Sequence, residues 1–215
     1  MENLDLQNWD PSVIELIKSL AENEVRSRSS ENITTEQLPK EAIELEIMVE
    51  GKLDFKRDKE SAMLIEVKNS KLNLSFEELR INLVPKGYYP YILEFNNKPP
   101  LKDKIGIIKT NDEFDILRFH GTNGANHGVD TNDIIVRLKD WKQKFGLYIA
   151  GANDDWVMFR LEKLPENLDE FVLELDKFCP DLIAQDYHSE HGRDWSLFTV
   201  RSKIYYQKIV RLWWD

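Results

Sequence analysis

The chain has 215 residues, 41% of them apolar and 32% charged, which suffices for one large domain or two small ones with buried cores. With 29 basic against 39 acidic residues the formal net charge is -10, which repels phosphate backbones and anionic membranes and removes nucleic acid as the expected partner. A single cysteine, Cys179, excludes an internal disulfide; the first residues show no signal-peptide pattern, and no apolar run reaches the roughly 20 residues of a membrane span, so a cytoplasmic address is expected.

Asp10-Pro11 opens a helix expected over 10–26, with Val13, Ile14, Ile17, Leu20 and Ala21 at helical spacing. A polar linker at 27–32 follows. Alternation of Ile43, Leu45, Ile47 and Val49 predicts a strand over 42–49, and Ser61–Lys68 a second one, with Lys56–Glu60 as a charged hairpin tip. Ser75 with Glu78 three residues on predicts a capped helix carrying Phe76, Leu79 and Leu83, stopped at Pro85-Lys86-Gly87. Tyr89–Phe95 reads as a strand. Asn96–Lys104, with Pro99-Pro100, reads as a loop and marks the boundary between an N-terminal α+β region, residues 1–100, and a C-terminal domain, residues 101–215.

In the second half, Glu113–His120 reads as a central strand, apolar on both faces. Asp130 caps a helix in which Ile134, Leu138, Trp141 and Phe145 share a stripe and Gly146 ends it. Leu147–Gly151 and Trp156–Glu162 form two strands around the turn Ala152-Asn153-Asp154-Asp155. Leu164, Leu168, Phe171, Leu175 and Phe178 predict a helix ended by Pro180; a further helix near 197–207 leads into a terminal strand over 209–214. The expected fold class is α+β, an antiparallel or mixed sheet with helices on one face. The β-α-β-β-α-β order of the C-terminal half predicts a ferredoxin-like split β-α-β layer.

Between the expected strand and the helix at Asp130 lies Gly121-Thr122-Asn123-Gly124-Ala125-Asn126-His127-Gly128-Val129-Asp130. Three glycines in eight residues imply positive φ angles or close approach of another group, and both are ways a loop acquires function. The bland alternative is a turn whose Asn side chains satisfy its own backbone.

Five stretches, taken in order, resemble a known family: Gly121-Thr122-Asn123-Gly124-Ala125-Asn126; the block Leu147–Trp156 with Gly151-Ala152 and Asp155-Trp156; Leu164-Pro165-Glu166-Asn167-Leu168; Phe178-Cys179-Pro180-Asp181; and Leu212-Trp213-Trp214-Asp215. They are similar to the bacterial domain of unknown function 4253 over about residues 105–215. The resemblance implies no established activity, and residues 186–201 depart from its pattern.

The chemistry-bearing residues are few. His188-Ser189-Glu190-His191 lacks the His-Glu-x-x-His order of zinc proteases, and no metal site is expected. Cys179 ends an amphipathic helix, where a thiol behaves as a small core residue. The glycine spacing is neither a Walker loop nor a dinucleotide fingerprint, and Asp130 and Asp133 occupy the place of an anion, so no cofactor is expected. His120 and His127 flank the loop, where one could act as a base beside Asp130 or merely end a strand and fill a turn. Trp213 and Trp214 face opposite sides of a strand, leaving one available to a partner.

Two functions follow. The first is a non-enzymatic interaction module, of which an immunity protein is one version, that meets a basic protein partner by charge complementarity. The alternative is a small-ligand binder or hydrolase-like enzyme using the loop. In either case Thr122, Asn123, Asn126, His127, Asp130 and Trp214 are the expected contact residues.

Overall fold

The computed structural model describes residues 9–16, 62–68, 72–94, 102–184 and 193–215. The expected linker at 27–32, the strand at 42–49, the hairpin tip at 56–60 and both His188 and His191 lie outside these residues, as does the expected first helix beyond residue 16. The chain divides into two compact units, Met1–Asn111 and Asp112–Asp215.

In the first unit residues 11–16 are helical, and Asp10 caps them by accepting the Ser12 N–H at 2.9 Å. Strand β1 (Ala62–Lys68) is followed by helix α1 (Leu72–Leu83), strand β2 (Tyr88–Glu94) and strand β3 (Lys102–Lys109). Helix α1 begins before Ser75, which therefore lies inside it and is not its cap; Phe76, Leu79 and Leu83 form the buried stripe as expected. Strand β3 corrects the end of the loop expected over 96–104, at residues 102–104; 96–101 lie outside the described residues. It runs antiparallel to both β1 and β2, and with a partner on each side Ile105, Ile107 and Ile108 become core. Its charged and glycine-bearing sequence hides this, because Gly106 makes room for another residue: the Tyr91 ring stands 2.3 Å from where a Cβ would be.

The second unit opens with a larger correction. Residues 115–120 are not a strand but a short helix, α2 (Asp115–His120). Local polar groups decide this: Asp112 accepts the N–H groups of Phe114 through its side chain and of Asp115 through its carbonyl, and Arg118 donates to both Asp112 and Asp115 at 3.0 and 2.7 Å. Gly121 then ends the helix at φ 64°, its N–H bonded to the Leu117 carbonyl. Ile116 and Leu117 are both fully buried, which imitates a two-faced strand in the sequence.

The remaining elements fall close to where the periodicities place them. They are α3 (Thr131–Phe145), β4 (Leu147–Ala152), β5 (Trp156–Leu161), α4 (Leu168–Phe178), the short α5 (Asp181–Ala184), α6 (Arg193–Gln207) and β6 (Ile209–Trp213). Helix α6 starts earlier than the expected 197, at Arg193. Pairings within each unit are antiparallel, and the fold is α+β. The ferredoxin-like layer is not what the second unit draws: β5 pairs with β4 on one side and with β6 on the other, where that topology needs the first strand, and 113–120 supplies no strand.

Trp141 stands at the centre of this unit, fully buried from α3. It stacks on Phe159 of β5 at 5.7 Å and meets Phe171 and Phe178 of α4 edge-on at 5.5 and 5.8 Å. Its indole N–H donates to Glu174, which also takes the Arg137 guanidinium. At the head of α3, Asp130 accepts the Asp133 N–H while the Asp133 side chain accepts that of Asp130, a reciprocal cap. Asp130→Ala should therefore lower unfolding stability by about 1 kcal/mol in urea titration, with Asp130→Asn retaining most of it.

Candidate functional site

The loop between α2 and α3 is a compact, self-bonded structure. Gly124 and Val129 exchange main-chain hydrogen bonds at 2.8 and 3.1 Å, closing a small ring around a single 3-10 turn, Ala125–His127. The glycines divide the two duties the sequence suggested. Gly121 and Gly128 take positive φ (64° and 68°) with open space around them, whereas Gly124 is a close approach: a Cβ there would lie 2.5 Å from Cδ1 of Trp214.

Each expected contact residue now has a place. Thr122 is fully buried, and its hydroxyl donates to the Asn153 carbonyl at 2.6 Å, so it fastens the loop to the β4–β5 turn. Asn123 folds back on the loop, donating to the Gly121 carbonyl and accepting the Ala125 N–H, while its own N–H reaches the Asp154 carbonyl at 2.9 Å. Asn126 donates to the main-chain oxygen of Asp215 at 2.7 Å. His127 Nε2 is 2.6 Å from Asp181 Oδ2, and the same oxygen accepts the Asp215 N–H. Asp130 is occupied by the cap of α3. Trp214 is buried, 3% exposed, and packs edge-on against Phe178 at 5.9 Å.

The loop lines a concavity. Asn123, Ala125 and Asn126 form one wall of an open cleft of about 290 Å³, completed by Asp154 and Asp155 of the β4–β5 turn and by Trp214 and Asp215 after β6. Thr122, His127 and Asp130 are not among its lining residues. The lining brings together three carboxylates and no Lys, Arg or His. In the sequence Asp154 and Asp155 read as turn formers only; their adjacency to a strand end is the available signal, but nothing local says that the glycine loop meets them.

The walls are held by main-chain bonds. Besides Asn123 to Asp154, the Trp214 N–H donates to the Asp155 carbonyl at 2.9 Å, and the Trp213 indole N–H reaches Asp155 Oδ2 at 2.8 Å. Arg211 stacks over the rings of Trp156 and Trp213 at 4.8 and 5.5 Å. Burial lowers its pKa from the ordinary arginine value, and the charge of Asp155 acts the other way.

Burial shifts both Cys179 and His120. Burial pushes the Cys179 thiol up to about 12, and its sulfur sits 3.1 Å from the Trp213 carbonyl, so it stays a protonated core group at neutral pH. Burial likewise pushes His120 down to about 4, with the charge of Asp154 offsetting part of the shift. Among the described residues no group of three His, Cys, Asp or Glu is placed to hold a metal ion.

Two expected outcomes follow from these contacts. Gly124→Ala must move the Trp214 ring or the loop, so it should cost about 1–3 kcal/mol of stability and shift tryptophan emission. His120 is neutral when folded and takes up a proton more readily once unfolded. Its contribution is therefore complete above about pH 6.5 and is lost as pH falls toward 4, and His120→Gln should remove up to about 3 kcal/mol of that pH dependence in denaturation midpoints.

Comparison with known proteins finds one family. The model described as Domain of unknown function (DUF4253) matches residues 104–215, which includes the loop and every residue of the cleft. Neither the search of curated proteins nor that of solved structures finds a match to this chain.

Proposed function

The chain belongs to the DUF4253 family, and from that premise we propose that it is a non-enzymatic interaction module whose acidic cleft receives a basic protein partner. The observation that carries this reading is the lining of the cleft: Asp154, Asp155 and Asp215 line one opening together with Asn123 and Asn126. A chain with net charge -10 already steers cations toward itself, and a concavity of carboxylates gives that attraction a place to end. The same charge disfavours nucleic acid. An immunity protein that neutralises a toxin in the cytoplasm is a concrete form of the reading. No helix among the described residues is long and apolar enough to cross a membrane.

The hydrolase-like alternative needs a nucleophile next to a base. Burial raises the Cys179 pKa and so disfavours its thiolate, burial leaves His120 neutral and only weakly basic, and His127 is bonded to Asp181. The small-ligand alternative shares the cleft and differs in what fills it.

Asp154→Asn/Asp155→Asn removes two charges while leaving an amide oxygen at position 155 able to accept from the Trp213 indole. The wild type, immobilised, should retain a basic protein from host extract at about 0.05 M salt and release it at about 0.5 M, where screening is nearly complete. The double variant, equally stable, should retain about tenfold less. Recovery of nucleic acid, or equal retention by the variant, would count against the proposal.

A further inference from the structure

Among the asparagines of the chain only Asn123 is followed by glycine. That pair is chemically labile, because the main-chain nitrogen of the next residue can attack the asparagine side-chain amide, and a glycine there has no Cβ to hinder the approach. The structure treats the three reacting atoms unequally. Asn123 Oδ1 accepts the Ala125 N–H at 3.0 Å, which polarises the amide carbon, and Asn123 Nδ2 donates to the Gly121 carbonyl at 2.8 Å, which fixes the orientation of the group. The Gly124 nitrogen is instead withheld. Its N–H is bonded to the Val129 carbonyl at 2.8 Å, and the Trp214 ring stands against its Cα, 2.5 Å from where a Cβ would be. The electrophile is set and the nucleophile is locked.

We propose that Asn123 is a deamidation site whose rate is set by the contact between Gly124 and Trp214. When the loop opens locally, the Gly124 amide gives its proton to hydroxide and its nitrogen bonds to Cγ of Asn123. The Cγ–Nδ2 bond then breaks, and ammonia leaves with a proton taken from water, closing a cyclic imide. Charge develops on Oδ1 in this step, where the Ala125 N–H is placed to meet it, so only the contacts of Gly124 with Val129 and Trp214 have to give. Water opens the imide at either of two bonds. Attack at Cγ restores the main chain and leaves an aspartate; attack at the main-chain carbonyl carbon leaves an isoaspartate, with the chain routed through the side chain. Asn126 and Asn153 do not compete. His127 and Asp154 follow them, each with a side chain in the way, and the nitrogens of those two residues are bonded to the Gly124 carbonyl and to Asn153 Oδ1. Either product puts a carboxylate in place of the donor to the Gly121 carbonyl and adds a negative charge to a lining that holds Asp154, Asp155 and Asp215. The isoaspartate also lengthens the main chain by a methylene next to the Asn123 N–H that reaches the Asp154 carbonyl, so the wall of the cleft changes shape as well as charge. This inference needs the loop geometry alone and does not depend on what the cleft binds.

The test incubates the full-length protein at mildly alkaline pH and resolves the peptide containing residue 123, by mass and chromatography, into amide, aspartate and isoaspartate forms over time. Acid should accumulate at 123 and not at 126 or 153, faster as hydroxide concentration rises, and about ten- to a hundredfold more slowly than in the same chain unfolded in urea. Trp214→Ala lifts the ring from Gly124, and Thr122→Val drops the hydroxyl that ties the loop to the Asn153 carbonyl at 2.6 Å. Each should speed the reaction severalfold in the folded state. If either variant misfolds, the wild type decides: in sub-denaturing urea its deamidation rate should rise in step with hydrogen exchange of the Gly124 amide. No acid at 123 in the folded chain after about a hundred half-lives of the unfolded one overturns the proposal. So do comparable conversion at Asn126 or Asn153, equal rates in the folded and unfolded chains, folded variants no faster than wild type, and a rate that does not follow Gly124 exchange.

Discussion

Nothing larger than a hydrogen fits between the Cα of Gly124 and the indole of Trp214, and much of the second unit is arranged around that contact. Trp214 meets Phe178 edge-on, Phe178 meets Trp141, and Trp141 stacks on Phe159, so one continuous line of aromatic rings runs from the glycine loop through α4 and α3 to β5. Close-packed rings transmit position without slack. A displacement of Trp214 would be felt by the loop above it and by the helix pair behind it.

That line explains how a cleft can be assembled from segments far apart in sequence. Its walls come from 123–126, 154–155 and 214–215, and each is tied to a neighbour by the main chain or by a short amide side chain: Asn123 to Asp154, Trp214 to Asp155, Asn126 to Asp215. Because backbone groups hold the walls, the side chains of Asp154 and Asp215 are left for the opening. The cleft is thus held by the fold itself, so on the proposed reading a partner would have less ordering to impose on binding.

The treatment of charge elsewhere in the unit makes the cleft stand apart. Glu113, nearly buried, accepts from both Lys142 and the Ile149 N–H; Glu174 accepts from Arg137 and Trp141; Asp181 holds His127 and the Asp215 N–H. These carboxylates are committed to the fold, and for Glu113, the buried one, such partners offset the cost of burial. Asp154 and Asp215 instead line one opening whose lining residues include no cation, beside an Asp155 carboxylate that accepts the Trp213 indole N–H.

Local sequence determined what local physics governs. The stripe Ile134, Leu138, Trp141, Phe145 with its Asp130 cap and Gly146 stop, the hairpin around 152–155 and the helix carrying Leu168, Phe171, Leu175 and Phe178 were all legible, because each is specified by neighbours in the chain. The two elements that were misread depend on partners outside that range. Residues 102–109 become a strand only with β1 and β2 on either side and Tyr91 lying over Gly106, while 115–120 become a helix through Asp112 and Gly121, which outweigh an apolar pattern suited equally to a strand. The candidate site divides the same way. Its glycine loop was visible, since glycine spacing marks special backbone wherever it occurs; but that Thr122 is an anchor, that His127 belongs to Asp181, and that Asp154 and Asp155 form the opposite wall were settled only in three dimensions, because contacts across 31 to 89 residues leave no periodicity for a sequence to show.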